Sequence, residues 1–152
     1  MQIRAANRQD EPLIRNIVFS SLEELGITPD PEGRDKDLKN IEQSYFWHDG
    51  VCLVAERDGQ VIGTVAACKR GADDELELTR LAVYPAARNR GAGRALMKTL
   101  LFFAANMEYK QIVLGADLPS ADLARLPAEK LKRLGFCLNE RGWSMQIERS
   151  AC

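Results

Sequence analysis

Histidine is almost missing from this chain: His48 is the only one. The four cysteines, Cys52, Cys68, Cys137 and Cys152, include no C-x-x-C pair. Zinc-ligand spacing is therefore absent and no metal site is expected. A cysteine nucleophile would need a base that the sequence does not place, so the thiols read as buried side chains of strands, and lone His48 as a structural or surface residue. Charge of one sign is not in excess, since 21 basic residues face 22 acidic ones for a net charge of −1. That balance, with basic residues scattered among acidic ones, argues against nucleic acid or a membrane surface as partner, and any anion site has to be local. No apolar run approaches the roughly 18 residues of a membrane-spanning helix. The opening "MQIRAANRQDE" lacks the apolar stretch of a signal peptide, so the expectation is a cytoplasmic protein with reduced thiols. Repeats, low-complexity segments and linkers are missing too. At 152 residues the chain reads as one domain, 1–152, large enough to bury a full core without disulfides.

What is present is a regular succession of patterned segments. "QIRAA" reads as a short strand. Leu13, Ile14, Ile17, Leu22 and Leu25 fall at helical spacing between Gln9 and Leu25, and Gly26 closes that helix. "ITPDPEGRDKD" is a charged loop, after which Asp35 or Asp37 is expected to cap a second helix carrying Leu38, Ile41 and Tyr45. "VCLVAER" and "QVIGTVAACK" flank Asp58-Gly59, a hairpin signal. "ELELTRLAV", Glu75 to Val83, alternates like a half-buried strand, and Pro85 ends it.

Between Gly91 and Met107, Ala95, Leu96, Leu100, Phe103, Ala104 and Met107 mark a long amphipathic helix. "QIVLGA" is a buried strand, "DLPSADLARLP" a loop with room for one helical turn, and "AEKLKRLG" a short helix ended by Gly135. "FCLNE" and "WSMQIER" make a last hairpin around Arg141-Gly142. The order β-α-α-β-β-β-α-β-α-β-β predicts an α/β or α+β fold. Its sheet is mixed but mostly antiparallel, with one parallel pair around the long helix.

"RNRGAG", Arg88 to Gly93, sits between a strand and that helix. The first N–H groups of a helix have no internal partner and carry the positive end of its dipole. Gly91 and Gly93 let an anion approach them, and Arg88, Arg90 and Arg94 add charge, which suits a phosphate or pyrophosphate. Nucleotide motifs fit badly. A P-loop needs Gly-Lys followed by Ser or Thr, whereas Arg94-Ala95 follows Gly93. The dinucleotide fingerprint needs a third glycine where Leu96 stands.

The arrangement resembles the GNAT superfamily of acyl-CoA-dependent N-acetyltransferases. The likeness rests on Glu77-Leu78-Thr79-Arg80-Leu81-Ala82-Val83, then Tyr84-Pro85, the Arg-x-x-Gly-x-Gly run from Arg88 to Gly93, and "LGF", Leu134 to Phe136. The element order is also the family's. The resemblance implies a sheet of about seven strands with about four helices, splayed between the fourth and fifth strands. It implies acetyl-CoA as acyl donor. The pyrophosphate would lie on backbone N–H groups of Arg88, Asn89, Arg90, Gly91, Ala92, Gly93 and Arg94, and the pantetheine arm beside Leu81, Ala82 and Val83 like an added strand. The Leu81 N–H would stabilise the oxyanion of a tetrahedral intermediate, and Glu77 would serve as general base, directly or through water, with Glu75 in reserve.

One departure stands out. The tyrosine that commonly acts as general acid, three residues before the Leu of "LGF", is here Leu131, and the Asn and Ala that usually precede it fall on Ala124 and Pro127. The acceptor side would be formed by the segment after the first helix. There Asp30, Glu32, Asp35 and Asp37 suit a cation and Arg34 a carboxylate, although charged loop residues and helix caps explain them as well. The leading expectation is an N-acetyltransferase acting on the primary amine of a small or amino-acid-like acceptor. The alternatives are an acyl-CoA-binding or sensing module with weakened catalysis, favoured by Leu131, and a protein-directed acetyltransferase. Dimers are frequent among its look-alikes, and by that analogy alone a homodimer is one assembly open to the chain.

Overall fold

The computed structural model describes residues 1–69, 74–114, 127–133, 135–140 and 142–147. Strand β1 (Gln2–Ala5) leads into helix α1 (Glu11–Glu24) through a capping box, in which Asn7 accepts the Gln9 N–H and Asp10 accepts the Asn7 N–H. Arg4 reaches from β1 to Asp10 at 2.8 and 3.0 Å and so pins the helix start to the sheet. The end of α1 closes around Gly26 at φ +77°, where the Gly26 and Ile27 N–H groups return to Glu23 and Leu22, a Schellman turn.

The second helix differs from expectation. It is a single short turn, α2 (Ile41–Ser44), flanked by 3₁₀ turns at Lys36–Lys39 and Phe46–His48. Its cap is Asn40, which accepts the Gln43 N–H at 3.0 Å, and neither Asp35 nor Asp37 caps it. Those two carboxylates are drawn into the protein by a partner far along the chain.

Strands β2 (Val51–Arg57) and β3 (Gln60–Lys69) form the hairpin foreseen at Asp58-Gly59, with both turn residues in the left-handed region. Strand β4 (Glu75–Val83), helix α3 (Ala92–Asn106) and strand β5 (Gln111–Leu114) supply the parallel pair. Helix α4 (Ala128–Arg133) and the hairpin β6 (Cys137–Asn139) and β7 (Gly142–Gln146) follow. Among the described residues the sheet has seven strands in the order β1-β2-β3-β4-β5-β7-β6. The "DLPSADLARL" stretch, Leu134 of "LGF" and Cys152 lie outside the described residues.

Two apolar cores result. Leu76, Leu78, Leu81 and Val83 pack with Leu96, Leu100, Ala104, Leu131 and Phe136. Cys52, Val54, Ala66 and Ala82 pack with Ile14, Ile17, Leu38, Ile41 and Tyr45 of the α1–α2 region. The helix stripes are narrower than foreseen, since Leu13 and Met107 are exposed. Among the described residues no helix is long and apolar enough to cross a membrane.

Candidate active site

Strand β4 is the axis of the site. It pairs with β3 along most of its length, and its described register with β5 covers only Glu75–Leu78 before it runs on to Val83. This is where the sheet was expected to splay.

The pairing with β3 contains an irregularity. Ala66 lies opposite Thr79 and Thr64 opposite Ala82, so Arg80 and Leu81 together face Val65. Arg80 sits there at φ +58°, a left-handed backbone that a bulky residue rarely adopts. The bulge resets the alternation. Leu76 and Leu78 face the α3 core, and Leu81 and Val83 return to it, whereas Thr79, Arg80 and Ala82 face α1 and α2.

Glu77 is on that second face, 8% exposed, opposite Cys68 on β3 and Val113 on β5. Glu75 accepts a hydrogen bond from the Gln111 amide at 2.8 Å.

The side chain of Arg80 is 1% exposed and enters a polar cluster that sequence reasoning missed. Its Nε and Nη2 donate to Asp37 at 3.1 and 2.7 Å, and Nη2 also lies 2.9 Å from Asp35. Arg34 donates to Asp35 at 2.7 and 3.2 Å and to the Thr28 carbonyl at 3.0 Å. The Asp30 N–H adds a third bond to Asp35. The Tyr45 hydroxyl donates to Asp37 and accepts from Thr79. Burial opposes ionisation of Asp35, but Arg34, the Asp30 N–H and Arg80 outweigh it and hold the carboxyl below its ordinary range. Burial and the Asp37 charge push Tyr45 well above the usual phenol value. The Arg80 guanidinium is held more firmly protonated than usual, because its bonds to Asp37 outweigh burial.

The only hint in the sequence is a broken period. In strict alternation Arg80 would share the apolar face of Leu76 and Leu78, a placement that an arginine cannot tolerate. The acidic segment that was read as a solvated loop supplies its partners. Arg34 is committed to Asp35, Asp30 caps its own turn at Gly33, and Glu32 pairs with Lys39. Trp47 and His48 are exposed, while Tyr45 is core.

From Val83 the chain turns through Pro85–Ala87 to the start of α3. Gly91 is the N-cap at φ +91° with no capping side chain, and Asn89 is also left-handed at φ +63°. A Cβ added at Gly91 or Gly93 would meet nothing within 4 Å. The helix N-terminus is thus bare, with open space over both glycines, and this fits a phosphate-bearing ligand. Arg90 and Arg94 are exposed beside it.

Arg88 is used differently. Its guanidinium donates to the Val83 carbonyl at 2.9 Å, to Glu24 at 2.9 and 3.1 Å and to Ser21 at 3.2 Å, and its own N–H donates to Pro85. Arg88 thus ties the loop to α1.

Leu131 is buried in the α3-side core. Cys52 is buried, which pushes its thiol up to about 12, whereas Cys137 is exposed, against the expectation of buried thiols. Among the described residues no group of three or more His, Cys, Asp or Glu is placed to hold a metal ion.

A strand with a bulge and a buried glutamate thus leads into a bare glycine-rich helix start. The profile of the Acetyltransferase (GNAT) family matches residues 19–136, and the chain belongs to that family. The chain is 37% identical over 102 residues to N-acetylaspartate synthetase from Homo sapiens, a match covering 66% of this chain and 32% of that protein. It therefore spans about a third of that relative's length. In fold it is similar to a GNAT-family acetyltransferase from Staphylococcus aureus Mu50, with a TM-score of 0.82 and 19% identity over 97% of this chain and 99% of the other. It also resembles a GNAT-family acetyltransferase from Brucella melitensis solved in complex with acetyl-CoA. There the TM-score is 0.72 and the identity 22%, over 99% of this chain and 90% of the other.

Proposed function

We propose that this chain transfers an acetyl group from acetyl-CoA to the primary amine of a small, amino-acid-like acceptor. The observation that carries the reading is the continuity of β4 and α3: Glu77, the bulge at Arg80–Leu81 and the bare start of α3 follow one another along a single path. Asn89–Arg94 would hold the pyrophosphate, and Leu81, Ala82 and Val83 would line the pantetheine arm. The acyl donor supplies an activated thioester.

An amine attacks only when neutral, so a group beside the acceptor has to take its proton. Glu77 is assigned that role, directly or through water. It lies on the face that α1 and α2 cover, and the donor strand passes through the same residues. The Leu81 N–H is assigned to the developing oxyanion, where a fixed donor acts more strongly than water would. N-acetylaspartate synthetase is named for the acetylation of an amino acid, which supports an acceptor of that kind.

A second reading has a specific observation behind it. Leu131 stands where a tyrosine acid would be expected and is packed in the core, so no proton donor comes from that position. This favours an acyl-CoA-binding module with weakened transfer. A thiolate leaves tolerably without an acid, so the transferase reading stands first.

The test is thiol release from acetyl-CoA across a panel of amino acids and simple amines. Glu77→Gln should lower kcat by about a hundredfold or more and leave the Kd for acetyl-CoA within about twofold. Unchanged kcat in Glu77→Gln would remove Glu77 from the mechanism.

A further inference from the structure

We infer that Arg80 is the positioning residue of this site: its guanidinium, locked onto Asp37 and Asp35, holds the left-handed bulge that sets the Leu81 backbone, and it thereby couples the acceptor-side segment 28–39 to the donor strand. The inference rests on the acetyl-transfer reading and adds a residue that touches neither substrate.

The first ground is the backbone. Arg80 has φ +58° inside a buried strand, where most residues stay extended. A conformation of that kind persists only where its surroundings over-determine it. The second ground is what surrounds it. Two nitrogens of the guanidinium take Asp37 in a fork, one of them also meets Asp35, and both carboxylates come from one segment between α1 and α2. Asp37 is tied in turn to Tyr45, and Asp35 to Arg34 and the Asp30 N–H.

The third ground is register. Because Arg80 and Leu81 together oppose Val65, Leu81 returns to the face of Leu76 and Leu78. An extended Arg80 would turn the Leu81 peptide the other way. A last detail fits the same role. Arg80 Nη1 is buried and has no hydrogen-bond partner among the described residues. A buried donor left unpaired is a poor device for stability alone, and buried ion pairs are themselves weak stabilisers. A guanidinium that works through Nε and Nη2 to hold a backbone has no need of its third nitrogen.

The test separates backbone geometry from simple stability. In an Asp37→Asn background, where the amide oxygen and Asp35 still accept from Arg80 and removal of Arg80 leaves Asp35 its bonds from Arg34, Arg80→Gly and Arg80→Ala are compared. Both lack the guanidinium, but only glycine adopts φ +58° without strain. Two readouts are taken: the carbonyl stretch of bound acetyl-CoA labelled with carbon-13 in the acetyl group, and kcat with KM for acetyl-CoA.

The expected result is that Arg80→Gly keeps the lowered carbonyl frequency of the Asp37→Asn parent and stays within about threefold of its kcat. Arg80→Ala should move the frequency toward that of free acetyl-CoA and lose about tenfold in kcat, with KM for acetyl-CoA unchanged in both. Equal frequencies and equal kcat in the two variants, whatever their Tm values, would overturn the inference and leave Arg80 a structural residue. If wild-type protein binds acetyl-CoA but turns over no amine, the transferase reading fails alone and the carbonyl shift still decides the role of Arg80. If wild-type protein does not bind acetyl-CoA, both fail.

Discussion

Gly93 separates binding from folding more cleanly than any other single residue of the site. It lies in the first turn of α3, and a methyl group there would meet no protein atom within 4 Å. Inside a helix, alanine is favoured over glycine by about 1 kcal/mol. Gly93→Ala should therefore keep or slightly raise the Tm. If the open space belongs to the pyrophosphate, the same methyl group should raise the KM for acetyl-CoA by about tenfold with a smaller change in kcat. Thermal melts beside acetyl-CoA saturation curves check both halves. A variant unchanged in KM would place the pyrophosphate elsewhere. Arg88 makes the contrast. Its position in the motif suggested a phosphate contact, yet its guanidinium is spent on Val83, Ser21 and Glu24. Motif spacing placed the glycines at the start of α3 but said nothing about which arginine is tied up within the protein.

At the scale of elements, what could be read from the sequence follows the range of the interactions involved. The hairpin at Asp58-Gly59, the stop of α1 at Gly26 and the start of α3 at Gly91 all depend on neighbours within a few residues, and all stand as expected. Arg80, in the β4 bulge, pairs with Asp35 and Asp37 more than forty residues earlier, and no local pattern announces such a pairing. For the same reason the second helix was misjudged. Asp35 and Asp37 looked like caps because capping is the local use of an aspartate, but Arg80 claims both, and Asn40 caps a shorter helix. Helix α4 carries the other element-scale consequence. Leu131 packs into the α3-side core, where a larger ring with a polar tip would press on its packed neighbours. Leu131→Tyr should therefore destabilise the fold by about 1–3 kcal/mol through overpacking and bring no gain in kcat. Denaturant melts and initial rates measure the two effects, and a gain in kcat would show that the position can still take the acid role.

Over the whole molecule, the α1–α2 side is joined to the sheet by buried or half-buried ion pairs at two ends. Arg4 and Asp10 fix the start of α1, and Arg80 with Asp35 and Asp37 fixes the segment before α2. Asp10 is held below the ordinary carboxylate range chiefly by its hydrogen bonds from Arg4. Asp35 is depressed as well, since its bonds outweigh its burial. Because both pKa values are lower in the folded state, the stability they confer is fully present above the unfolded values near about 4 and is lost as pH falls through the folded ones. The protein should accordingly weaken steeply below about pH 4. Asp35→Asn should be less stable by about 3 kcal/mol at neutral pH and should show a flatter decline in acid. Urea melts at several pH values from neutral downward follow this directly, and parallel curves for the two proteins would contradict it.

Everything assigned to the site depends on one binding event, so calorimetric titration of the purified protein with acetyl-CoA is the most direct measurement. The account predicts one site per chain, with binding weakened in Gly93→Ala and unaffected in Glu77→Gln. No detectable binding to well-folded protein would contradict the assignment of Asn89–Arg94 as a pyrophosphate cradle, and with it the acetyl-transfer reading of β4.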